Sequence, residues 1–173
     1  MPHALILYAT NSGNTEFTAE AIGQTFTTHH FPHVIQNVAD TQPSDVTQYD
    51  LIILGCCTWE KINAKERIEG QLQDQMEEFL TRLKTHSLKN KPMAVFGLGD
   101  SDYQFFCGAA IILNKFVESA DAFKVGTTLY IDSWPQPQVA KINAWTTSVI
   151  EIFRTSSPDH AARLSVEDAR RSA

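Results

Sequence analysis

The sequence predicts a doubly wound α/β fold, in which helices cover both faces of a parallel sheet. Residues 51–54 and 93–96 are apolar without polar alternation, which is typical of strands buried on both faces. Amphipathic helical patterns separate the apolar runs, and right-handed crossovers then distribute these helices over both faces. A chain of 173 residues with 43% hydrophobic side chains fits one domain with its own core.

The predicted elements alternate along the chain. Strands are expected at residues 4–8, 34–38, 51–56, 93–98 and 125–131. The first helix is expected from Glu16 to about His29, and apolar stripes predict three more helices within residues 72–83, 106–120 and 139–152. Residues 39–49 read as a loop, and Pro135 and Pro137 mark the start of the last helix.

This order of elements divides the chain into a domain and a C-terminal extension. Residues 1–154 form the predicted domain, and residues 155–173 are expected to be a peripheral or flexible C-terminal extension. Ligands of doubly wound sheets bind beyond the carboxyl ends of the strands. The loops after the first, third and fourth predicted strands are therefore the candidate site.

The loop after the first strand predicts an anion site. It consists of Thr10, Asn11, Ser12, Gly13, Asn14 and Thr15. It leads into a helix whose first N–H groups have no internal partner and whose dipole favours negative charge. No Lys or Arg precedes Lys61, so the loop suits one phosphate monoester rather than a nucleoside triphosphate. A single Gly also excludes a GxGxxG dinucleotide loop.

The other two loops each carry a large aromatic residue. Residues 55–59 read Gly-Cys-Cys-Thr-Trp, and residues 97–108 include Gly97, Gly99 and Tyr103. Trp59 and Tyr103 are placed to clamp a flat ring from its two sides, which contributes about 0.5–1.5 kcal/mol beyond area burial. The glycines allow the backbone to approach the edge of that ring.

Together these motifs resemble the flavodoxins, in particular the short-chain bacterial ones, over about residues 2–150. The resemblance rests on residues 2–6, 13–20, 55–59, 72–74, 99–103 and 106–109. The segment that marks long-chain members is missing between Lys124 and Asp132. The resemblance implies a flavodoxin-like five-stranded parallel sheet of order 2-1-3-4-5 and FMN as the cofactor. It implies the following cofactor-binding residues: Thr10, Asn11, Ser12, Gly13, Asn14, Thr15, Cys57, Thr58, Trp59, Glu60, Leu98, Gly99, Asp100, Tyr103, Phe106 and Cys107.

The function implied is that of an electron carrier rather than an enzyme. FMN would pass single electrons between a flavodoxin reductase and electron-accepting redox enzymes. Glu16, Glu20, Asp100 and Asp102 would disfavour an anionic reduced flavin and give it a low potential. Two alternatives stay open, an FMN-dependent NAD(P)H oxidoreductase on the same fold and a flavin-free interaction module.

Two features depart from the family that the sequence resembles. Glu60 follows Trp59 where the family usually has a Gly whose peptide flips on reduction, so a less stable semiquinone is expected. Residues 60–70 form an apparent insertion that brings Lys61, Lys65 and Arg67 to the rim. This insertion could be a solvated surface loop, a determinant of partner choice or a lid.

Composition excludes several classes of function. A net charge of −6 disfavours nucleic acid, and the apolar runs are too short for membrane insertion. Cys56, Cys57 and Cys107 lack the spacing of a zinc site, and no catalytic residue is predicted. The lack of a membrane span and of a signal-peptide pattern predicts a cytoplasmic protein. The resemblance to flavodoxins implies a monomer whose partners are redox proteins.

Overall fold

The centre of the structure is a parallel β-sheet, seen in a computed structural model that describes residues 2–62 and 66–156. Its strands are β1 (Ala4–Ala9), β2 (His33–Asn37), β3 (Leu51–Ile62), β5 (Pro92–Gly99) and a fifth strand in two pieces, β6 (Phe123–Lys124) and β7 (Leu129–Asp132). The order is β2-β1-β3-β5-β6, and β7 also pairs with β5. This is the predicted order 2-1-3-4-5, so the predicted fold class is confirmed.

Four helices cover the two faces of the sheet. They are α1 (Asn14–Thr28), α2 (Asp74–Leu83), α3 (Gly108–Ser119) and α4 (Val139–Ser156). Ile6, Ile53 and Phe96 pack with α1 and α4 on one face. Leu7 and Leu54 pack with α2 and α3 on the other. Successive strand residues point to opposite faces, so a strand covered on both sides has to be apolar throughout.

The insertion forms a β-hairpin instead of an unpaired loop, and its suggested roles in partner choice or as a lid stay predictions. Strand β3 continues to Ile62 and pairs with the antiparallel strand β4 (Arg67–Leu72). The register shifts between Trp59 and Lys61, so Glu60 lies at a bulge. Pairing satisfies backbone groups that a loop would leave to water. Lys65 lies outside the described residues.

Several boundaries differ from those predicted. Helix α1 begins at Asn14 instead of Glu16, because Gly13 adopts a left-handed φ of 86° and starts the helix there. Helix α4 continues to Ser156, past the predicted boundary at residue 154, and residues 157–173 lie outside the described part. The predicted loop at residues 39–49 contains two 3₁₀ turns, Val38–Asp40 and Pro43–Gln48.

The fifth strand is interrupted between its two pieces. The four residues 125–128 lie opposite only two residues of β5, Ala94 and Val95, so the fifth strand bulges there. Gly126 has a φ of 70° in this segment. The Val125 N–H still donates to the Met93 carbonyl oxygen at 2.8 Å. The interruption therefore leaves β7 in register beside the end of β5, where the candidate site lies.

Candidate functional site

The loop after β1 is built to receive an anion. The Gly13 N–H donates to the Thr10 hydroxyl at 3.0 Å, which closes the loop on itself. Gly13 is the N-cap of α1 and provides no side-chain acceptor for the first helical N–H groups. A Cβ on Gly13 would meet no atom within 4 Å, so the space above the loop is open. An uncapped helix start under open space is a site for a phosphate group.

Thr15 is the most informative residue of this loop. Its side chain is fully buried, and its hydroxyl has no hydrogen-bond partner among the described residues. The hydroxyl lies beside the Cys57 sulfur and lowers the pKa of that thiol, without reaching regular hydrogen-bond geometry. A buried polar atom left unsatisfied costs roughly 1–3 kcal/mol. A phosphate oxygen at the start of α1 would satisfy this hydroxyl, so the loop fits the phosphate of FMN.

Two aromatic side chains stand on the neighbouring loops. Trp59 lies at the hairpin's base opposite Gln71 and is 41% exposed. Tyr103 lies in the loop after β5 and is 67% exposed. The structure thus leaves both rings accessible at the carboxyl edge of the sheet, where a flat ring could stack on them.

The loop after β5 is fixed by contacts with the loop after β7. Ser101 donates to the Asp132 carboxylate from its N–H and from its hydroxyl, and these contacts lower the pKa of Asp132. The Ser133 hydroxyl donates to Asp100 at 3.2 Å, and the Ser133 N–H donates to the Gly99 carbonyl oxygen at 2.7 Å. These hydrogen bonds fix the position of the loop after β5, which carries Tyr103.

Close packing explains why glycine stands at position 99. A Cβ there would lie 2.4 Å from the backbone nitrogen of Cys107. Cys107 is itself in a left-handed conformation, with a φ of 51°, at the start of α3. The backbone of this loop therefore folds back on itself, and any residue larger than Gly would push the two segments apart.

These loops enclose one large cavity of about 990 Å³. Eleven of the sixteen predicted site residues line it: Asn11, Ser12, Asn14, Cys57, Thr58, Trp59, Glu60, Leu98, Gly99, Asp100 and Tyr103. The cavity is at the upper end of the usual size of small-molecule sites, which is about 300–1,000 Å³.

Five predicted site residues do not line the cavity with their side chains. The Thr10 hydroxyl closes the loop by accepting a hydrogen bond from the Gly13 N–H, Gly13 is the N-cap of α1, and the Thr15 side chain is buried. Cys107 is buried against the carbonyl oxygens of Gly97 and Ile131, and burial raises its pKa to about 12. Phe106 packs near Tyr130, with ring centroids 6.5 Å apart.

Sequence reasoning missed a second group of lining residues. Ser133 and Trp134 follow β7, and Phe105 belongs to the loop after β5. Trp134 is 66% exposed, and the Gln138 amide holds its loop by donating to the carbonyl oxygens of Asp132 and Trp134. Trp134 directly follows the fifth predicted strand, so the rule that ligands bind beyond strand ends would have found it.

The cations at the rim are paired with carboxylates. Lys61 forms ion pairs with Asp74, at 2.9 Å, and with Glu77. Arg67 pairs with Glu60 across the hairpin. Partial burial opposes the charge on Lys61, but the two carboxylates outweigh it and raise its pKa. Of the charged side chains described around the cavity, Glu69 and Asp100 are left without a cation, so the cavity is electronegative.

A hydrogen bond from a phenol joins the two sides of the loop after β1. The Tyr8 hydroxyl donates to the Glu16 carboxylate at 2.7 Å. Burial, followed by this contact with Glu16, raises the pKa of Tyr8 to about 12. Tyr8 therefore stays neutral and fixes Glu16 beside the start of α1, which keeps one negative charge near the phosphate loop.

Comparison with known proteins identifies the family. The sequence model of the Flavodoxin family matches residues 6–145 of this chain. The chain belongs to the flavodoxin family. A flavodoxin of Maridesulfovibrio salexigens is 34% identical over 152 residues, which cover 87% of this chain and 99% of the relative. The cofactor of flavodoxins is FMN, and they are electron carriers that work with redox partner proteins.

Solved structures and longer relatives agree with this assignment. The crystal structure of oxidised flavodoxin 2 from Bacillus cereus superimposes with a TM-score of 0.77 at 31% identity, covering 86% of this chain and 98% of that one. An NADPH-dependent diflavin oxidoreductase of Kluyveromyces lactis is 30% identical over 135 residues, 74% of this chain but 22% of that protein. The flavodoxin fold is thus shared with a domain-sized part of a larger enzyme.

The described helices were compared with the length and hydropathy that a membrane span requires. Across residues 2–62 and 66–156, none of the helices combines the length and the apolar character of a membrane span.

Proposed function

We propose that this flavodoxin holds FMN in the 990 Å³ cavity and carries single electrons at low potential between a reductase and electron-accepting enzymes. One observation carries the proposal: the loop after β1, whose buried Thr15 hydroxyl has no hydrogen-bond partner among the described residues, opens into the same cavity as Trp59 and Tyr103. Residues of the loop after β1 and both aromatic residues line this one cavity, as a ligand with a phosphate at one end and a flat ring at the other requires. We propose the sixteen residues predicted above as its contacts, extended by Ser133 and Trp134.

Different groups of the chain would bind the phosphate and the ring of FMN. The N–H groups at the start of α1 and the Thr15 hydroxyl bind the phosphate without a cation. Trp59 and Tyr103 exclude water from the ring, and the backbone near Gly99 faces its polar edge. When bound, FMN supplies the electron-transfer chemistry, and the protein tunes its potential.

The charges around the cavity support a low potential. Lys61 and Arg67 are neutralised by their ion-pair partners, whereas Glu69 and Asp100 form no ion pair with the cations that the structure describes. Two opposite or like charges 4 Å apart interact by about 1 kcal/mol in bulk water and by about 4 kcal/mol near a protein surface. The negative charges of Glu69 and Asp100 therefore both oppose the addition of negative charge to a ring in this cavity.

The hairpin decides how Glu60 contributes. Its carboxylate is paired with Arg67, so it adds less negative charge to the rim than the sequence alone implied. Its backbone lies at the bulge between Trp59 and Lys61 and is held on both sides by the ladder to β4. We therefore propose that this peptide changes conformation less readily than a Gly in an open loop would.

We further propose that the protein acts as a monomer in the cytoplasm. All three cysteines are free, which suits a reducing compartment. The carboxylates of Glu69 and Asp100, which form no ion pair within the described part of the chain, favour partners with basic surfaces, because complementary charge accelerates association.

Reductive titration of the purified protein, followed by visible absorbance, tests the proposal. We expect bound flavin at one per chain and two separate reduction steps, the second well below the potential of free FMN. Colourless protein that binds no added FMN would refute FMN binding. A single two-electron step at the potential of free FMN would refute the role as one-electron donor.

A second candidate is an FMN-dependent NAD(P)H oxidoreductase. The similarity to part of a diflavin oxidoreductase favours it. Tyr103 and Trp134 both stand over the cavity, however, and would compete with a nicotinamide for the face of the ring. Steady oxidation of NADPH by the isolated protein would favour this candidate over a carrier.

A further inference from the structure

Cys57 lies where the phosphate loop meets the central sheet. It is the last residue of β3 that pairs with β5, opposite Leu98. Its side chain packs on the α1 side of the sheet, whereas Cys56 is buried on the opposite side. Cys57 is only partly buried and lines the cavity together with Asn11. Its sulfur can therefore be reached from the cavity, next to the anion site.

A second feature at this position points to an anionic occupant. The Thr15 hydroxyl is fully buried, has no partner among the described residues, and lies next to the Cys57 sulfur. The Asn11 N–H also faces that sulfur. These are donors that a phosphate would use, and a thiolate is an alternative anion for the same donors.

The surroundings favour the thiolate of Cys57. The neighbouring Cys56 contributes most to lowering the pKa of Cys57, and the hydrogen bond that the structure shows between them runs from the Cys56 S–H to the Cys57 carbonyl oxygen at 3.2 Å. Burial works against the thiolate, but Thr15 and the N–H groups of Cys57 and Asn11 help to lower the pKa of Cys57 to about 7. The charged side chains that line the same cavity are Glu60, Lys61, Arg67, Glu69, Asp74 and Asp100.

The other two thiols provide a contrast within the same chain. Cys56 and Cys107 are both fully buried. The contact with Cys57, together with burial, raises the pKa of Cys56 well above its ordinary value. Burial raises the pKa of Cys107 to about 12. Buried thiols with raised pKa values are unreactive, so reactivity should be confined to Cys57.

We propose that Cys57 is a thiol-modification site of the flavin-free protein, at which a small disulfide exchanges with the sulfur and thereby competes with FMN for the cavity. The proposal rests on the proposed FMN site. In the exchange, the Cys57 thiolate attacks one sulfur of the disulfide, the original S–S bond breaks, and a mixed disulfide forms at Cys57. The other half leaves as a thiolate and takes a proton from water. A free thiol reverses the reaction.

The two events exclude each other for physical reasons. An adduct on Cys57 occupies the space beside the loop and next to the Thr15 hydroxyl, where the phosphate would otherwise bind. Bound phosphate, in turn, covers the sulfur, occupies the Asn11 and Thr15 donors and adds negative charge beside it. The same donors cannot serve both anions, so occupancy of the cofactor site controls access to the thiol.

The experiment treats the full chain, freed of flavin, with oxidised glutathione and maps the adduct by peptide mass spectrometry. We expect one adduct, on Cys57, and a loss of FMN binding that a free thiol restores. With FMN at ten times its Kd, the free fraction and hence the rate of adduct formation should fall about tenfold. The rate of iodoacetamide alkylation at Cys57 should rise with pH through a midpoint near 7.

Matched variants keep the test decisive. In the flavin-free protein, Cys107→Ser should form the same adduct on Cys57 as the natural chain does. Cys57→Ser should form no adduct, and the disulfide should not change its affinity for FMN. An adduct on Cys56 or Cys107, no adduct at all, or equal rates with and without bound FMN would overturn the inference. FMN binding is measured separately by fluorescence quenching. Equal rates with FMN bound leave the proposed function intact, whereas absence of FMN binding refutes both.

Discussion

Thr15→Val should move stability and cofactor affinity in opposite directions. The Thr15 side chain is fully buried and its hydroxyl has no partner among the described residues, so Val removes an unsatisfied polar atom and retains most of the shape. The free energy of unfolding of the flavin-free protein should rise by about 1–2 kcal/mol. A hydrogen bond to a charged phosphate contributes about 1.5–3 kcal/mol, so the Kd for FMN should rise about 10- to 150-fold.

Urea denaturation of the flavin-free protein and fluorescence titration with FMN measure the two effects. Thr18→Val is the matched control on the same helix, because Thr18 is also buried but its hydroxyl donates to the Asn14 carbonyl oxygen at 2.9 Å. It should lose about 0.5–1.5 kcal/mol of stability and keep its affinity for FMN. A Thr15→Val variant that is less stable and binds FMN as tightly as the natural chain would refute the assignment of Thr15 to the phosphate.

Three further predictions follow from the cavity. Lys61→Met should lower the last reduction potential by about 20 mV, since about 0.5 kcal/mol of ion-pair compensation is lost; an unchanged potential would contradict this. Glu60→Gly should widen the separation of the two reduction potentials in a spectroelectrochemical titration, and an equal effect of Glu60→Ala would show that charge, not backbone freedom, is responsible. Tyr103→Ala should raise the Kd for FMN by at least about 2- to 13-fold in a fluorescence titration, because the stacking contribution is lost in addition to the burial of the ring, while Phe123→Ala, at the far end of the sheet, should leave the Kd unchanged.

The phosphate loop shows how much of a site local sequence can specify. Gly13 and the hydroxyl residues around it follow a buried strand directly and precede a helix, so their geometry depends on neighbours in the chain. The structure shifts the start of the helix by two residues, to Asn14, and leaves the prediction of an anion site in place.

The hairpin shows where local sequence is insufficient. Residues 60–70 are polar and charged, and their composition predicts a solvated loop. The strands pair because β3 extends beyond the sheet and gives β4 a partner, and because Lys61 reaches the start of α2. That ion pair joins residues distant in sequence, and so does the brace between Asp100 and Ser133 that holds the loop after β5.

The doubly wound fold could be predicted from the sequence, because apolar runs and helical periods dictate which faces are buried. The sequence also predicted an anion site in the loop after the first strand and an aromatic pair on the neighbouring loops. Three further features required the three-dimensional structure: Trp134 lines the cavity, the Thr15 hydroxyl has no partner among the described residues, and Cys57, unlike Cys56 and Cys107, lines the cavity. Each of these facts depends on which groups from separate elements come into contact. Such contacts are set by the packing of the whole domain, which no short stretch of sequence encodes.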